Sequence, residues 1–66
     1  MKNKVHEYRK MSHLTQEELA KKVGVTRQTI ISIEQGKYIS SLPLALKIAK
    51  VFDVSVDNIF IVEDGD

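Results

Sequence analysis

Apolar residues recur at intervals of three and four along most of the chain, which places them on one face of an α-helix. Glycine and proline are scarce, at three and one of 66 residues, so few positions interrupt this periodicity. Ser or Thr stands before four of the periodic segments, where helix N-caps belong: Thr15, Thr26, Ser41 and Ser55. The pattern predicts an all-α fold of five short helices, forming one compact domain over residues 1–66.

The second and third predicted helices have the clearest ends. Residues 15–18 read as a capping box that starts the second helix, and Gly24 ends it because glycine readily adopts positive φ. The third helix begins at Thr26 and ends at Gly36. The spacing predicts that the inward residues of this pair are Leu19, Ala20, Val23, Ile30 and Ile33. Two short helices joined by a glycine turn result.

The first and fourth helices are predicted on weaker boundaries. The first covers residues 3–11. The fourth follows Ser41 and tolerates Pro43, because the first turn of a helix needs no intrahelical hydrogen bond there. Its apolar stripe is predicted to consist of Leu42, Ala45, Ile48, Ala49 and Phe52. Leu44 and Leu46 lie beside that stripe, either at the rim of the core or at a dimer surface.

The C-terminal region ends in β-favouring residues. Ser55 is expected to cap a short fifth helix whose apolar residues are Val56, Ile59 and Phe60. Ile61 and Val62 follow it, and their type favours an extended backbone over a helix. We therefore predict a short C-terminal strand.

The net charge of +1 conceals an uneven distribution along the chain. Ten cations and four carboxylates leave residues 1–50 at +6, whereas five carboxylates leave residues 51–66 at −5. This asymmetry is typical of a basic nucleic-acid-binding face with an acidic end held apart from it. The alternative is an ordinary solvated surface with an acidic tail.

Other function classes find little support in the residues. Cysteine is absent, no apolar run approaches a membrane span, and the first seven residues lack the apolar stretch of a signal peptide. His6 and His13 have no further ligands at metal-binding spacing, and Ser12 beside His13 does not form a nucleophile and base. We expect a cytoplasmic, soluble, non-enzymatic protein that needs no metal or cofactor and does not bind membranes.

The segment TQEELAKKVGVTRQTIISIEQGK at residues 15–37 resembles the helix-turn-helix of the Cro/phage-repressor (XRE-like) family. The similarity continues through residues 41–49 and 54–60, and so covers nearly the whole chain. The resemblance implies a lambda-repressor-like domain that binds double-stranded DNA and regulates transcription in the bacterial manner. It places the helix-turn-helix at about residues 15–35 and assigns residues 26–35 as the recognition helix.

A helix that enters the major groove needs an apolar inner face and an outer face able to reach base edges. The candidate base contacts on the outer face are Arg27, Gln28, Thr29, Ile31 and Ser32. Arg27 suits guanine and Gln28 suits adenine, because each side chain can make a bidentate contact with that base. Ile31 could contact a thymine methyl group or pack beside Ile30 and Ile33.

The resemblance also assigns residues to the DNA backbone and to the scaffold. The candidate phosphate contacts are Gln16, Thr26, Lys37 and Tyr38, of which Tyr38 could instead cover the fourth helix. In the family, an arginine of the first helix pairs with a glutamate near the end of the third. Arg9 and Glu34 match those positions, so we expect a structural ion pair.

A domain of this size gains stability from burial against a second subunit. We predict a homodimer whose interface is formed by Leu44, Leu46, Phe60, Ile61 and Val62. In the alternative, Ile61 and Val62 fold back on the first helix of their own chain, near Met1 and Val5. We expect a dimeric repressor of a palindromic operator, and the rival function is an antitoxin-like module that binds another protein on the same scaffold.

Overall fold

The computed structural model describes residues 2–37 and 41–61. They form five helices and two short strands: β1 (Lys2–Asn3), α1 (Val5–Met11), α2 (Gln16–Val23), α3 (Arg27–Glu34), α4 (Leu42–Val51), α5 (Val56–Ile59) and β2 (Phe60–Ile61). The predicted five-helix fold is confirmed. The predicted C-terminal strand is present one residue earlier than expected, and Val62 lies outside the described residues.

The start of the chain differs from the sequence prediction. Asn3 belongs to β1 rather than to the first helix, and it pairs antiparallel with Phe60 while Lys2 pairs with Ile61. The side-chain Oδ1 of Asn3 accepts a hydrogen bond of 3.1 Å from the backbone N–H of Val5. The pairing with β2 holds Asn3 in extended backbone, and its side chain then satisfies the first N–H group of α1. Ile61 thus folds back on its own chain, against β1 and not against α1.

Three of the four predicted N-caps, Thr15, Thr26 and Ser41, are confirmed by their side-chain hydrogen bonds. Thr15 Oγ1 accepts from the Glu18 N–H at 3.0 Å, and Glu18 Oε1 accepts from the Thr15 N–H at 2.9 Å. The hydroxyls of Thr26 and Ser41 accept from the backbone three residues later. Ser55 occupies the same position before α5 but makes no side-chain hydrogen bond there.

Helices α1 to α4 are each followed by a residue with positive φ. These residues are His13, Gly24, Gly36 and Asp53, with φ of 58°, 75°, 73° and 55°. Beyond α1, the N–H of Leu14 donates to the Arg9 carbonyl at 3.1 Å, which caps the last turn. Beyond α4, the N–H of Val54 donates likewise to Ala49 at 3.1 Å. Two non-glycine residues therefore adopt the left-handed conformation that glycine adopts in the other two turns.

One apolar core connects the helices. Its fully buried side chains include Val5 of α1, Leu19 of α2, Ile30 and Ile33 of α3, Ile48 of α4 and Ile59 of α5. Tyr8 and Phe52 extend the core, with ring centroids 5.8 Å apart. No helix among the described residues is long and apolar enough to cross a membrane.

The predicted stripe of α4 was wrong at its start. Leu42 is 67% exposed, whereas Leu44 is 8% exposed and belongs to the core. At 3.6 residues per turn, Leu44 lies about 40° around the helix from Ile48, whereas Leu42 lies about 120° away. Leu44 is therefore not available as the dimer surface predicted for it, whereas Leu46 is 52% exposed.

Candidate nucleic-acid interface

The α2–turn–α3 unit presents one face of α3 to solvent. Ile30 and Ile33 are fully buried, which fixes the rotation of α3 on the core. Gly24 turns the chain after α2, and the N–H of Val25 donates to the Ala20 carbonyl at 3.0 Å. The unit thus has the arrangement of a helix-turn-helix, with α3 in the place of the recognition helix.

The five predicted base contacts differ in exposure. Arg27 and Gln28 are exposed in the first turn of α3, whereas Thr29, Ile31 and Ser32 are half-buried. The Thr29 hydroxyl lies 3.0 Å from the hydroxyl of Thr26, and the Thr29 N–H donates to that same oxygen at 3.3 Å. Arg27 and Gln28 are therefore the freest of the five to reach a ligand.

The C-terminal end of α3 is fixed by backbone hydrogen bonds and by Asn3. The N–H of Lys37 donates to the Ser32 carbonyl at 3.1 Å, while the Lys37 side chain remains exposed. Asn3 Nδ2 donates to the Ile33 carbonyl at 2.7 Å, which connects β1 to the end of α3. Tyr38, the fourth predicted phosphate contact, lies outside the described residues.

Arg9 and Glu34 are brought together across α1 and α3. Arg9 Nε donates to Glu34 Oε2 at 2.7 Å, and Arg9 Nη2 donates to Glu34 Oε1 at 3.3 Å. Arg9 Nη1 donates to the Leu14 carbonyl at 2.8 Å. Both side chains are more than nine-tenths buried, at 9% and 7% exposure. This two-point, buried geometry makes the pair costly to break by removing either partner.

Glu34 also holds Gln16, a predicted phosphate contact. Gln16 Nε2 donates to Glu34 Oε1 at 3.2 Å, and His6 Nδ1 lies 3.3 Å from that same oxygen. Burial raises the pKa of the Glu34 carboxyl, but hydrogen bonds from Arg9, Gln16 and His6 outweigh burial and hold the pKa below its ordinary value. The carboxylate therefore links α1, α2 and α3 in its charged form.

A groove of about 690 Å³ runs from the end of α1 to the start of α3. We call it the interface groove, and its lining includes Arg9, Lys10, His13, Thr15, Gln16 and Arg27. It joins the predicted base contact Arg27 to the predicted phosphate contact Gln16. Sequence reasoning missed Lys10 and His13, because no pattern in the chain indicates that the turn after α1 faces this groove.

The described residues contain no assembled metal site. Between residues 2 and 37 and between 41 and 61, no three His, Asp or Glu side chains come close enough to hold an ion. The interface groove has one carboxylate in its lining, Glu17, and three cations, Arg9, Lys10 and Arg27. The chemistry of this face is therefore that of anion binding through Lys, Arg and polar side chains.

This buried scaffold and exposed helix define a DNA-binding domain of the helix-turn-helix class. A helix-turn-helix family model matches residues 5–59, and the chain belongs to that family, the Cro/phage-repressor (XRE-like) transcriptional regulators. The chain is 62% identical over 66 residues to an "uncharacterized HTH-type transcriptional regulator" of Methanocaldococcus jannaschii, covering 100% of both chains.

Two solved structures resemble the fold closely. The restriction-modification controller protein C.AhdI from Aeromonas hydrophila has a TM-score of 0.79 and 32% identity, with 86% of each chain covered. The master regulator for biofilm formation SinR, in complex with DNA, has a TM-score of 0.73 and 35% identity, with 80% of this chain and 86% of that chain covered. The protein is thus a transcriptional regulator with a helix-turn-helix DNA-binding fold.

The Arg9–Glu34 pair generates a prediction about stability. Glu34→Gln leaves the Arg9 guanidinium buried without a carboxylate, so we expect the free energy of unfolding to fall by about 3 kcal/mol at pH 7. The pKa of Glu34 is lower in the folded protein than its ordinary value of 4.5. The carboxylate therefore stabilises the fold above pH 4.5, and this stabilisation disappears as the pH falls through the folded pKa. Urea unfolding from pH 7 to pH 2.5 should therefore show the free energies of unfolding of the parent and of Glu34→Gln converging in acid.

The matched control is Glu7→Gln, which removes an exposed carboxylate on α1 outside this network. We expect its free energy of unfolding to stay within about 0.5 kcal/mol of the parent at neutral pH. A Glu34→Gln deficit that stays constant down to pH 2.5 would contradict the charged role assigned to Glu34.

Proposed function

We propose that the protein is a sequence-specific repressor that binds a palindromic operator in double-stranded DNA as a homodimer. The observation that carries this proposal is the division of α3 into two faces. Ile30 and Ile33 are fully buried, while Arg27 and Gln28 are exposed together in its first turn. That first turn is the part of a recognition helix that contacts base edges. The SinR structure in complex with DNA supports the same use of the fold.

Base recognition is assigned to the outer face of α3. Arg27 can donate two hydrogen bonds to guanine O6 and N7, and Gln28 can pair with adenine N6 and N7. Thr29 is held by Thr26, which leaves its methyl group for a thymine or its hydroxyl for a phosphate. Ile31 and Ser32 are half-buried, so they act at the edge of the contact.

Backbone recognition is assigned to the ends of α2 and α3. Gln16, Thr26, Lys37 and Tyr38 are the phosphate contacts that the family resemblance implies. Gln16 donates one of its two amide protons to Glu34. The second proton is available to a phosphate oxygen, and the amide oxygen can accept from a water bound to that phosphate. The interface groove adds Lys10 and His13 to this set.

Homodimerisation is assigned to apolar side chains that the monomer leaves exposed. Leu42 and Leu46 lie one turn apart on α4, at 67% and 52% exposure, and Ile61 lies on β2 at 36%. Phe60 is half-buried against the core and is a smaller contributor. A symmetric dimer would space two recognition helices about 34 Å apart, one turn of DNA.

Selection of bound duplexes from a random DNA pool tests the function directly. We expect enrichment of a palindrome with half-sites one helical turn apart. On that operator, Arg27→Ala or Gln28→Ala should each cost about 1–3 kcal/mol and relax the preference at one base pair per half-site. Binding to random duplex should change less.

Gln35→Ala serves as the control, since this exposed residue lies beyond the C-terminal end of α3. Equal weakening on operator and random duplex for both Arg27→Ala and Gln28→Ala would remove the readout assignment. Failure to enrich any sequence would favour the rival function, a module that binds another protein.

Phosphate contacts predict a change in salt dependence. Each of Lys37→Ala and Lys10→Ala should weaken binding to all sequences similarly, because a phosphate contact carries no direct sequence information. The slope of log affinity against log salt should become shallower by about 0.9 for each lysine that neutralises one phosphate. Fluorescence anisotropy at salt concentrations from about 50 to about 200 mM measures this slope.

His13→Gly separates binding from folding in the same groove. Glycine suits the left-handed backbone of this turn, which offsets the entropy that glycine adds to the unfolded chain, so stability should hold. Duplex affinity should fall because the imidazole is gone. Slopes unchanged by both lysine substitutions, or parental affinity in His13→Gly, would show that the corresponding side chain does not contact DNA.

The dimer surface is tested by single charged substitutions. We expect Leu46→Asp or Ile61→Asp to give a folded monomer with weakened operator binding, because an unpaired carboxylate would be buried in the interface. Sedimentation velocity measures the oligomeric state, and circular dichroism checks folding. Met11→Asp is the control, since Met11 is 66% exposed and lies outside the proposed surface. A parent that sediments as a monomer on its operator would contradict the proposal.

A further inference from the structure

A second basic groove lies between the C-terminal halves of α2 and α4. It has a volume of about 450 Å³, and Lys21, Lys22, Lys47 and Lys50 surround a floor that includes Val23 and Val51. We call it the lysine groove. Within residues 2–37 and 41–61, none of these four lysines has an ion-pair partner. Four of the ten cations of the chain thus collect at one place outside the interface groove.

The lysine groove lies at the opposite end of α2 from the interface groove. Glu17 of α2 lines the interface groove, and Lys22 of α2 lines the lysine groove. Residues 15–17 at the start of α2 line the interface groove, residues 21–24 at and just beyond its end line the lysine groove, and no residue lines both. A duplex held by α3 therefore leaves the lysine groove open to another partner.

Helix stabilisation accounts for only part of this cluster. Lys21 and Lys22 lie in the last turn of α2 and Lys50 in the last turn of α4, where cations offset the helix dipole. Lys47 lies before that last turn and has no such role. Glu18 offsets some of the charge: the pKa of its carboxyl is lowered chiefly by hydrogen bonds with Thr15, and further by Lys22 and Lys21. A surplus of positive charge remains.

We propose that the lysine groove binds the phosphate backbone of a second DNA duplex while α3 holds the first. The inference rests on the proposed function, because the second duplex can be bridged only to one that α3 already holds. Lysine is a flexible point charge that contacts phosphate without bidentate geometry, which suits a repeated backbone more than one shaped ligand.

Other anions fit the lysine groove less well. The groove has no aromatic side chain in its lining, so it offers no platform for unstacked bases of a single strand. An acidic protein segment would gain from apolar pockets, but the groove has only two hydrophobic side chains in its lining, Val23 at 3% exposure and the half-buried Val51. Backbone phosphates need neither feature.

Two duplexes held at the two ends of α2 give the protein a bridging activity. Each operator-bound subunit would present one lysine groove to DNA elsewhere on the same molecule or on another. If four lysines each neutralise one phosphate, affinity for the second duplex should fall about 100-fold as salt rises from about 50 to about 200 mM. Capture of the second duplex should therefore depend steeply on salt.

A two-duplex capture assay tests the proposal with the full chain. A duplex selected for binding is immobilised, saturated with protein and washed at low salt, and a labelled random duplex is then added. We expect capture by the parent, and in K47Q/K50Q weaker capture with a salt slope shallower by roughly 1.8, the value for two phosphates. Occupancy of the immobilised duplex should stay within about twofold, because Lys47 and Lys50 lie outside the interface groove. K2Q/K4Q makes the same charge change at the start of the chain and should capture like the parent.

The outcomes are distinct. Parental capture by both K47Q/K50Q and the quadruple variant K21Q/K22Q/K47Q/K50Q overturns the proposal, since a dimer bridging through two α3 helices would be insensitive to these lysines. Capture of labelled polyglutamate in place of duplex also overturns it and identifies an acidic protein surface as the partner. Absence of protein on the immobilised duplex defeats the proposed function itself, whereas a loaded first duplex with no second one defeats only the bridging inference.

Discussion

The carboxylate of Glu34 is the interaction on which the arrangement of the first three helices depends. It lies at the C-terminal end of α3, where the helix dipole disfavours a negative charge. Arg9 compensates through two hydrogen bonds, and Gln16 adds a third from the start of α2. Because both charged partners are buried, either one alone would be strongly unfavourable. The recognition helix is therefore positioned by a polar pair at one end and by Ile30 and Ile33 along its length.

This arrangement couples the scaffold to DNA binding. Gln16 is a predicted phosphate contact and also a hydrogen-bond donor to Glu34, so the side chain that would meet the backbone is oriented by the pair that locks α1 to α3. Asn3 makes a similar connection from the start of α1. Its side chain accepts from the Val5 N–H and donates to the Ile33 carbonyl in the last turn of α3. Substitutions far from the exposed face of α3 should therefore alter DNA binding by moving α3 or Gln16, although the substituted side chains do not touch DNA themselves.

Local chemistry made much of the fold predictable from the sequence. Thr15 with Glu18, and Thr26, fixed helix starts because their capping partners lie within three residues. Predictions failed where the deciding partner is distant: Asn3 leaves the helix because β2 pairs with it, and Leu44 replaces Leu42 in the core because of how α4 rotates on its neighbours. Lys10 and His13 were missed for the same reason, since tertiary packing alone brings the end of α1 beside Arg27.

The turns after α1 and α4 each hold a non-glycine residue in left-handed backbone, at some cost in stability. His13 and Asp53 both adopt positive φ, a conformation that costs a non-glycine residue about 1–2 kcal/mol. Total stability for a chain of this size is on the order of 3–10 kcal/mol, so this cost is appreciable. His13 lines the interface groove, where the contact with DNA proposed above would need its imidazole, whereas Asp53 lines neither groove. The proposed binding would account for the strain at His13, and the similar strain at Asp53 shows that left-handed backbone by itself does not identify a functional residue.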